Sequence, residues 1–194
     1  MGDAIADIRR QLEESARVKQ SFSDELVSRI AEFSERAAMA IQSGGKILFF
    51  GNGGSAADAQ HLAAELVVRL RTDRLGLAAL ALTTNTSILT AAANDYGFER
   101  IFSRQIESLA GPKDVLVAIS TSGASANVLR GAEAGAERGA FVVGFTGESG
   151  GELAKKVSLL INVPSEDAQR IQEAHITVGH IACSLMEKLV LGGN

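Results

Sequence analysis

His61 and Glu65 place an imidazole and a carboxylate four residues apart in a segment with a helical pattern. Residues at this spacing project from one face of a helix on successive turns, as two metal ligands or an acid and a base would. Spacing alone leaves two interpretations open, a functional site and a solvated pair on the surface of a helix.

Gln172 and His180 form a second polar pair, near the end of the chain. Eight residues along a straight helix rotate by ~80° and rise by ~12 Å. Both could reach one ion only if the long Gln side chain spans the gap or the helix begins irregularly. From the residues alone, the apolar neighbours of His180 favour a hydrogen-bonded core histidine. His175 is interpreted as a helix-surface or interface residue.

The segment STSGAS, residues 120–125, follows an apolar run and precedes a helical pattern. It offers four hydroxyls and a flexible glycine, beside the free N–H groups that begin a helix. Such neutral donors can hold a dianionic phosphate. N-capping is the alternative, but a cap needs one hydroxyl. We therefore predict a phosphate site that uses the hydroxyls of Ser120, Thr121, Ser122 and Ser125.

The segment GNGGSAADAQH, residues 51–61, has glycines that let the backbone approach a ligand closely, and Ser55 follows them in position to cap or bind. It formally matches G-x-G-x-x-A, the dinucleotide-binding pattern. A dinucleotide site also needs an acidic residue at the end of the second strand, where this chain has only Thr83, Thr84 and Asn85. A nicotinamide cofactor is therefore disfavoured. Asn94 and Asp95 fit a turn by default.

These segments need a scaffold, and five short apolar runs predict one: residues 46–50, 77–82, 115–119, 141–145 and 159–163. The runs are apolar throughout rather than alternating, and a small-residue turn and a helical pattern follow each of the first four, as in buried parallel strands of an α/β protein. We predict a doubly wound sheet. In such sheets ligands bind beyond the carboxyl ends of the strands, where these polar segments lie.

Residues 5–41 carry apolar positions at helical intervals and predict two amphipathic helices broken near residues 21–23. We expect one domain, with residues 1–43 as a helical extension and 44–194 as the α/β core. A helix pair without a sheet of its own usually buries its apolar stripe on a neighbouring subunit or across the domain, and on that ground we expect an oligomer.

The composition and charge of the chain argue against a nucleic-acid-binding, secreted or membrane protein. The formal charge is −4, with no basic surplus to neutralise a nucleic acid, and Cys183 is the single cysteine of the chain. The charged N-terminus has no signal-peptide pattern, and no apolar run reaches the ~18 residues of a membrane span. We expect a soluble cytoplasmic protein that binds neither nucleic acid nor membrane.

The segments GNGGSAADAQHLAAEL, NDYGFE, STSGASANVLRGAEAG and QEAHITVGHIAC together resemble the phosphoheptose isomerases of the sugar-isomerase (SIS) superfamily, and the likeness covers nearly the whole chain. The resemblance implies a flavodoxin-like three-layer fold and a homotetramer with active sites at subunit contacts. It also implies one Zn²⁺ per subunit, held by His61, Glu65, Gln172 and His180. The residues implied to line the sugar phosphate are Asn52, Gly53, Gly54, Ser55, Glu65, Asn94, Asp95, Ser120, Thr121, Ser122, Ser125 and Gln172.

The chemistry implied by the resemblance is aldose–ketose isomerisation of sedoheptulose 7-phosphate to D-glycero-D-manno-heptose 7-phosphate, for the ADP-heptose of bacterial surface polysaccharide. An enediol route needs a base and an acid, and we assign these roles to Glu65 and His180. Binding to Zn²⁺ should lower the basicity of Glu65. Two alternatives are a non-catalytic SIS tetramer that binds the bacterial replication initiator and an isomerase for another phosphosugar.

Overall fold

A parallel five-stranded sheet organises the chain in a computed structural model that describes residues 2–192. The strands are β1 (Ile47–Gly51), β2 (Ala79–Ala81), β3 (Val115–Ile119), β4 (Phe141–Thr146) and β5 (Leu159–Asn162), in the spatial order β2-β1-β3-β4-β5. All four neighbouring pairs are parallel. The predicted doubly wound sheet is confirmed, and each apolar run matches one strand to within two residues, but a short 3₁₀ helix follows β4 where a helical pattern was expected.

Seven α-helices and two short 3₁₀ helices connect and cover the strands within the described residues. The α-helices are α1 (Gly2–Gln20), α2 (Asp24–Gln42), α3 (Gly54–Val67), α4 (Thr86–Tyr96), α5 (Ser103–Leu109), α6 (Ala126–Glu137) and α7 (Ala168–Val190). The 3₁₀ helices are Phe98–Arg100 and Gly151–Lys155. The break between α1 and α2 lies at residues 21–23 as predicted, and the Ser23 hydroxyl caps α2 by accepting from the N–H of Leu26.

The two faces of the sheet bury different helices, which gives three layers. In β1, Ile47 and Phe49 pack into a cluster with residues of α2, α3 and α7. The alternate residues Leu48 and Phe50 pack into a second cluster with residues of α5 and α6. Successive side chains of a strand point to opposite faces of the sheet, and helices cover both faces. Every position of a strand is therefore buried, which explains the uniformly apolar runs.

The two N-terminal helices differ in their burial. Leu26, Ile30 and Phe33 of α2 lie in the same core cluster as β1, so α2 is a layer of the α/β unit. The apolar stripe of α2 is thus buried across the domain, one of the two expected alternatives, whereas α1 buries no residue and exposes Ile5 and Ile8. Neither these two helices nor any other within residues 2–192 combines the length and apolar content of a membrane span.

Candidate active site

The loops that follow β1 and β3 begin side by side at one edge of the sheet. Gly51, the last residue of β1, pairs with Ile119, the last residue of β3. The connections from these two strands leave toward opposite faces, which opens a crevice at the switch point of a doubly wound sheet. The amide groups of Asn52 and Asn127 bridge the loops through two reciprocal hydrogen bonds of 2.8 Å each.

The loop of residues 120–125 presents hydroxyls around the start of α6. Ser125 is the N-cap residue, but its side chain makes no capping hydrogen bond. The hydroxyls of Ser120 and Ser125 lie 3.2 Å apart, and the hydroxyl of Ser122 accepts from the N–H of Ala124 at 3.2 Å. The first N–H groups of α6 therefore keep their capacity to donate to an anion, as a phosphate site requires.

Gly123 lets this loop fold closely against the loop after β4. Its φ of +62° lies in the left-handed region, and a Cβ there would stand 2.1 Å from the carbonyl oxygen of Gly150. Any other residue would displace the loop, so the glycine maintains the arrangement of hydroxyls. Thr121 is half-buried, and its carbonyl accepts from the N–H of Gly147.

The glycines after β1 bring α7 onto the start of α3. Gly53 has a φ of +57°, and a Cβ on Gly54 would lie 2.9 Å from the amide of Gln172. Gln172 therefore packs directly against the first turn of α3. Ser55, in the same turn, is buried. The structure places Gln172 and the Gly53–Ser55 segment together, as the resemblance implies.

His61, Glu65 and His180 converge between α3 and α7. The Nε2 atoms of His61 and His180 lie 2.8 Å apart, and Oε1 of Glu65 lies 3.2 Å from Nε2 of His61. One ligand atom from each of the three residues falls within 4.8 Å of the others. The side chain of His61 is 49% exposed and that of Glu65 is 18% exposed, so the group is open on one side.

The donor set and spacing of this group fit a zinc ion. Two imidazole nitrogens and a carboxylate oxygen are ligands that Zn²⁺ prefers. Ligand atoms in a tetrahedron with bonds of ~2.0–2.1 Å lie ~3.3 Å apart, so the observed 2.8 and 3.2 Å need shifts of only tenths of an ångström. Three protein ligands leave room for a further ligand to the ion, as in catalytic zinc sites.

A close approach of α3 and α7 makes the convergence possible. A Cβ on Gly179 would lie 2.5 Å from the side chain of Leu62, so only a glycine allows this packing. Gln172 lies against Gly54 and His180 against His61, so the two helices run in the same direction.

The straight course of α7 separates Gln172 from the other predicted ligands. A regular helix puts Gln172 ~12 Å from His180 along its axis. The single chain therefore brings three of the four predicted ligands together and leaves Gln172 at the start of α3.

The two histidines of α7 exchange the positions expected from the residues alone. His175 is the core histidine: it is buried against Phe145, its Nε2 contacts the carbonyl oxygen of Thr146 at 3.0 Å, and burial lowers its pKa to about 4. His180 faces His61 instead. The sequence-only interpretation was wrong for both, since a five-residue separation turns the side chains ~140° apart and the apolar neighbours do not show which face is buried.

Asn94 and Asp95 lie in the last turn of α4, so the turn expected from the residues is wrong. The amide of Asn94 donates to the carboxylate of Asp95 at 2.7 Å, and both residues are exposed. Within residues 2–192 no hydrogen bond ties either residue to the crevice. Their predicted contact with substrate stays a prediction.

Three residues that bear on the site were missed by the sequence reasoning. Asn127 is buried behind the hydroxyl loop, and its place two residues after Ser125 was the available signal. Asp58 stands one turn before His61, and burial raises its pKa to about 6 although the nearby imidazole opposes the shift. Arg74, in the α3–β2 connection, donates to the backbone carbonyl of Glu65, which no local pattern indicates.

Comparison with known proteins gives three consistent results. Residues 11–147 match the family model of the SIS domain. The chain is similar to a phosphoheptose isomerase of Geotalea daltonii, with 52% identity over 97% of this chain and 98% of that protein, and to one of Aquifex aeolicus, with 50% identity over 96% and 97%. Its structure is similar to that of phosphoheptose isomerase GmhA from Neisseria gonorrhoeae, with a TM-score of 0.90 and 43% identity over 95% of this chain and 99% of that one.

Proposed function

Because the chain belongs to the phosphoheptose isomerases of the SIS domain family, we propose that it interconverts sedoheptulose 7-phosphate and D-glycero-D-manno-heptose 7-phosphate in the crevice between β1 and β3. The observation that carries the proposal is the convergence of His61, Glu65 and His180 from two helices far apart in sequence. A protein that only bound the sugar phosphate would need the hydroxyl loop alone.

The hydroxyl loop is the proposed phosphate-binding element. Ser122 accepts from the N–H of Ala124, so its own O–H proton stays free to donate to a phosphate oxygen. Ser120, Thr121 and Ser125 supply further hydroxyls around the uncapped start of α6. Neutral donors and a helix N-terminus suffice for a dianion. On the β1 side, Asn52 and the backbone of Gly53 and Gly54 are proposed to contact the sugar.

His61, Glu65 and His180 are proposed to hold one zinc ion per subunit, with Gln172 as a further ligand. When bound, zinc supplies Lewis-acid stabilisation of negative charge on the sugar oxygens. We propose a tetramer with active sites at subunit contacts. Within one chain, α7 holds Gln172 ~12 Å from His180 along the helix axis. In the proposed assembly, the Gln172 ligand therefore comes from a neighbouring chain. Asn94 and Asp95 complete the substrate site there.

The isomerisation needs one proton moved from C1 of the ketose to C2. Glu65 is the proposed base: it takes the C1 proton, and the electron pair of the C–H bond forms the C1=C2 double bond of an enediol. His180 is the proposed acid: its Nε2 faces the metal group, so the proton that it donates to the C2 oxygen as the carbonyl opens comes from Nδ1. Return of the proton from Glu65 to C2, with transfer of the O1 proton to His180, gives the aldose and restores both side chains. A carboxylate has two oxygens, so one can face His61 while the other takes the proton.

The cellular setting follows from the proposed substrate. Phosphorylated sugars are made and consumed in the cytoplasm, and we place the protein there. The product has the heptose skeleton needed for the ADP-heptose of bacterial surface polysaccharide. No role in binding nucleic acid or membrane is proposed.

Glu65→Gln tests the assignment of the base. The amide keeps the size of the side chain but cannot accept the C1 proton, so we expect loss of heptose phosphate formation, measured by NMR, in a protein with an unchanged oligomer. Glu32→Gln, an exposed carboxylate on α2, is the matched control and should retain activity. Full activity of Glu65→Gln would refute the assignment.

A substrate panel tests the choice of sugar. Zinc-loaded protein should convert sedoheptulose 7-phosphate faster than hexose, pentose or amino-sugar phosphates. Faster turnover of a hexose phosphate would contradict the substrate assignment while leaving the isomerase chemistry intact. A zinc-loaded protein that converts no sugar phosphate would favour a non-catalytic role.

A further inference from the structure

Arg74 and Glu187 form a buried ion pair behind the three converging side chains. Nε of Arg74 donates to Oε2 of Glu187 at 3.0 Å, and the two side chains are 3% and 4% exposed. The other carboxylate oxygen of Glu187 accepts from the backbone N–H of Thr72 at 3.0 Å. Arg74 and Thr72 both lie in the connection between α3 and β2, whereas Glu187 belongs to α7.

The guanidinium of Arg74 also caps the end of α3. It donates to the carbonyl oxygen of Glu65 at 3.0 Å and to that of Leu66 at 2.8 Å. These carbonyls belong to the last turn of α3, where no helical N–H follows to satisfy them. The backbone of Glu65 is therefore held by the same side chain that binds Glu187.

On α7, Glu187 follows His180 by seven residues. Seven residues turn a helix by nearly two full turns, so both side chains leave α7 on the same face, ~10.5 Å apart along the axis. That face is the one against α3, since His180 meets His61 there. The contacts of Arg74 and Glu187 thus join the end of α3 to α7 on the C-terminal side of Glu65 and His180.

The hydrogen bonds between the end of α3 and α7 are directional, whereas apolar packing is not. Buried ion pairs are often no more stabilising than well-packed apolar side chains, so stability alone does not account for this one. A metal site needs its ligand distances within ~0.2 Å of their ideal values, so the relative placement of α3 and α7 matters there, and the hydrogen bonds of Arg74 and Glu187 oppose sliding of one helix against the other.

We propose that Arg74 and Glu187 are positioning residues, which set the relative placement of α3 and α7 so that Glu65 and His180 meet on one zinc ion. The inference rests on the proposed function, because it assigns the pair a role at the zinc site of that function. Neither residue touches substrate. Their effect passes through the backbone of Glu65 and through the face of α7.

The test compares the loss of two buried carboxylates. Glu187→Gln removes the charge that holds Arg74, and Asp114→Asn is the matched control. Asp114 is also 4% exposed and ion-paired, to Lys46, but its hydrogen bonds, to Lys46 and to the backbone N–H of Gly111, involve neither α3 nor α7. Arg74→Lys is the second variant. It keeps the charge but loses the planar set of N–H donors with which the guanidinium binds Glu187 of α7 and the carbonyls of α3 at the same time. Zinc affinity is measured by chelator competition on the full-length protein, and unfolding of the metal-free form is measured by denaturant.

We expect Glu187→Gln and Arg74→Lys to bind zinc ~10-fold or more weakly than the wild type. Asp114→Asn should lose stability yet bind zinc within about twofold of the wild type, because it shares no hydrogen-bond partner with Arg74 or Glu187. At saturating zinc, the Arg74 variant should lose kcat with little change in KM, since the hydroxyl loop is untouched. If Glu187→Gln does not fold, Arg74→Lys alone decides.

Two results would overturn the inference: wild-type zinc affinity in the folded variants, or an equal loss of affinity in Asp114→Asn. A wild-type protein that binds no zinc would overturn both the zinc centre of the proposed function and this inference. A wild-type protein that binds zinc and isomerises the heptulose, beside variants with unchanged affinity and kinetics, would overturn this inference alone.

Discussion

His175 makes the stability of the fold dependent on pH. Its ring is buried against Phe145, its Nε2 contacts the carbonyl oxygen of Thr146, and its Nδ1 has no hydrogen-bond partner within residues 2–192. Burial lowers the pKa of His175 from 6.5 to about 4, because a charged ring would lose its hydration. The folded protein therefore keeps this histidine neutral at pH values where the unfolded chain protonates it.

The size and sign of the effect follow from this pKa. Between pH 6.5 and about 4 the unfolded state binds more protons, so the free energy of unfolding falls as the pH is lowered through that window. At about 1.36 kcal/mol per pH unit, the full loss is ~3 kcal/mol below pH 4, of which ~2.5 kcal/mol is reached at pH 4.5. Above pH 6.5 the contribution of His175 is small.

His175→Gln is the variant that isolates this contribution. Its amide N–H₂ can still donate to the carbonyl of Thr146, but it does not titrate. The assay is urea unfolding of metal-free protein at fixed concentration, at pH 7 and pH 4.5, for wild type and variant. Asp58, whose pKa is raised to about 6, titrates in the same range in both proteins, so it cancels in the comparison.

We expect the wild type to lose ~2.5 kcal/mol more than His175→Gln between pH 7 and pH 4.5. The variant starts from a lower stability at pH 7, since the core must accommodate a new side chain. Two parallel pH dependences that differ only by that offset would refute the reasoning, because they would show that His175 binds no additional proton on unfolding.

Two further substitutions test the phosphate loop and the helix contact. Ser122→Ala should weaken substrate binding by ~1 to 3 kcal/mol, seen as a raised KM, because a donor to a charged acceptor is lost; an unchanged KM would reduce Ser122 to its turn contact with Ala124. Gly179→Ala should destabilise the fold by ~1 to 3 kcal/mol and weaken zinc binding, because the new methyl group collides with Leu62. Gly2→Ala, a helical glycine with open space around it, is the control, and a Gly179 variant that matched it in urea unfolding and zinc titration would contradict the packing argument.

Local patterns in the sequence predicted the scaffold and the loops it carries. The five apolar runs match the five strands to within two residues, and the break between α1 and α2 lies at residues 21–23 as predicted. The carboxyl-end rule placed the segment of Ser120–Ser125 beside that of Asn52–Ser55, because the neighbours β1 and β3 end together. These features depend on the order of residue types over short stretches of chain.

Tertiary packing decided which polar side chains meet. The spacing of His175 and His180 could not show which of them faces α3, and the contact of Gly179 with Leu62 settles it. Burial of α2 in the core also depends on the opposite surface that the sheet and α7 provide. A sequence pattern records which residues share a face of one helix, but the convergence of His61, Glu65 and His180 depends on how closely two helices approach, and contacts between distant residues set that distance.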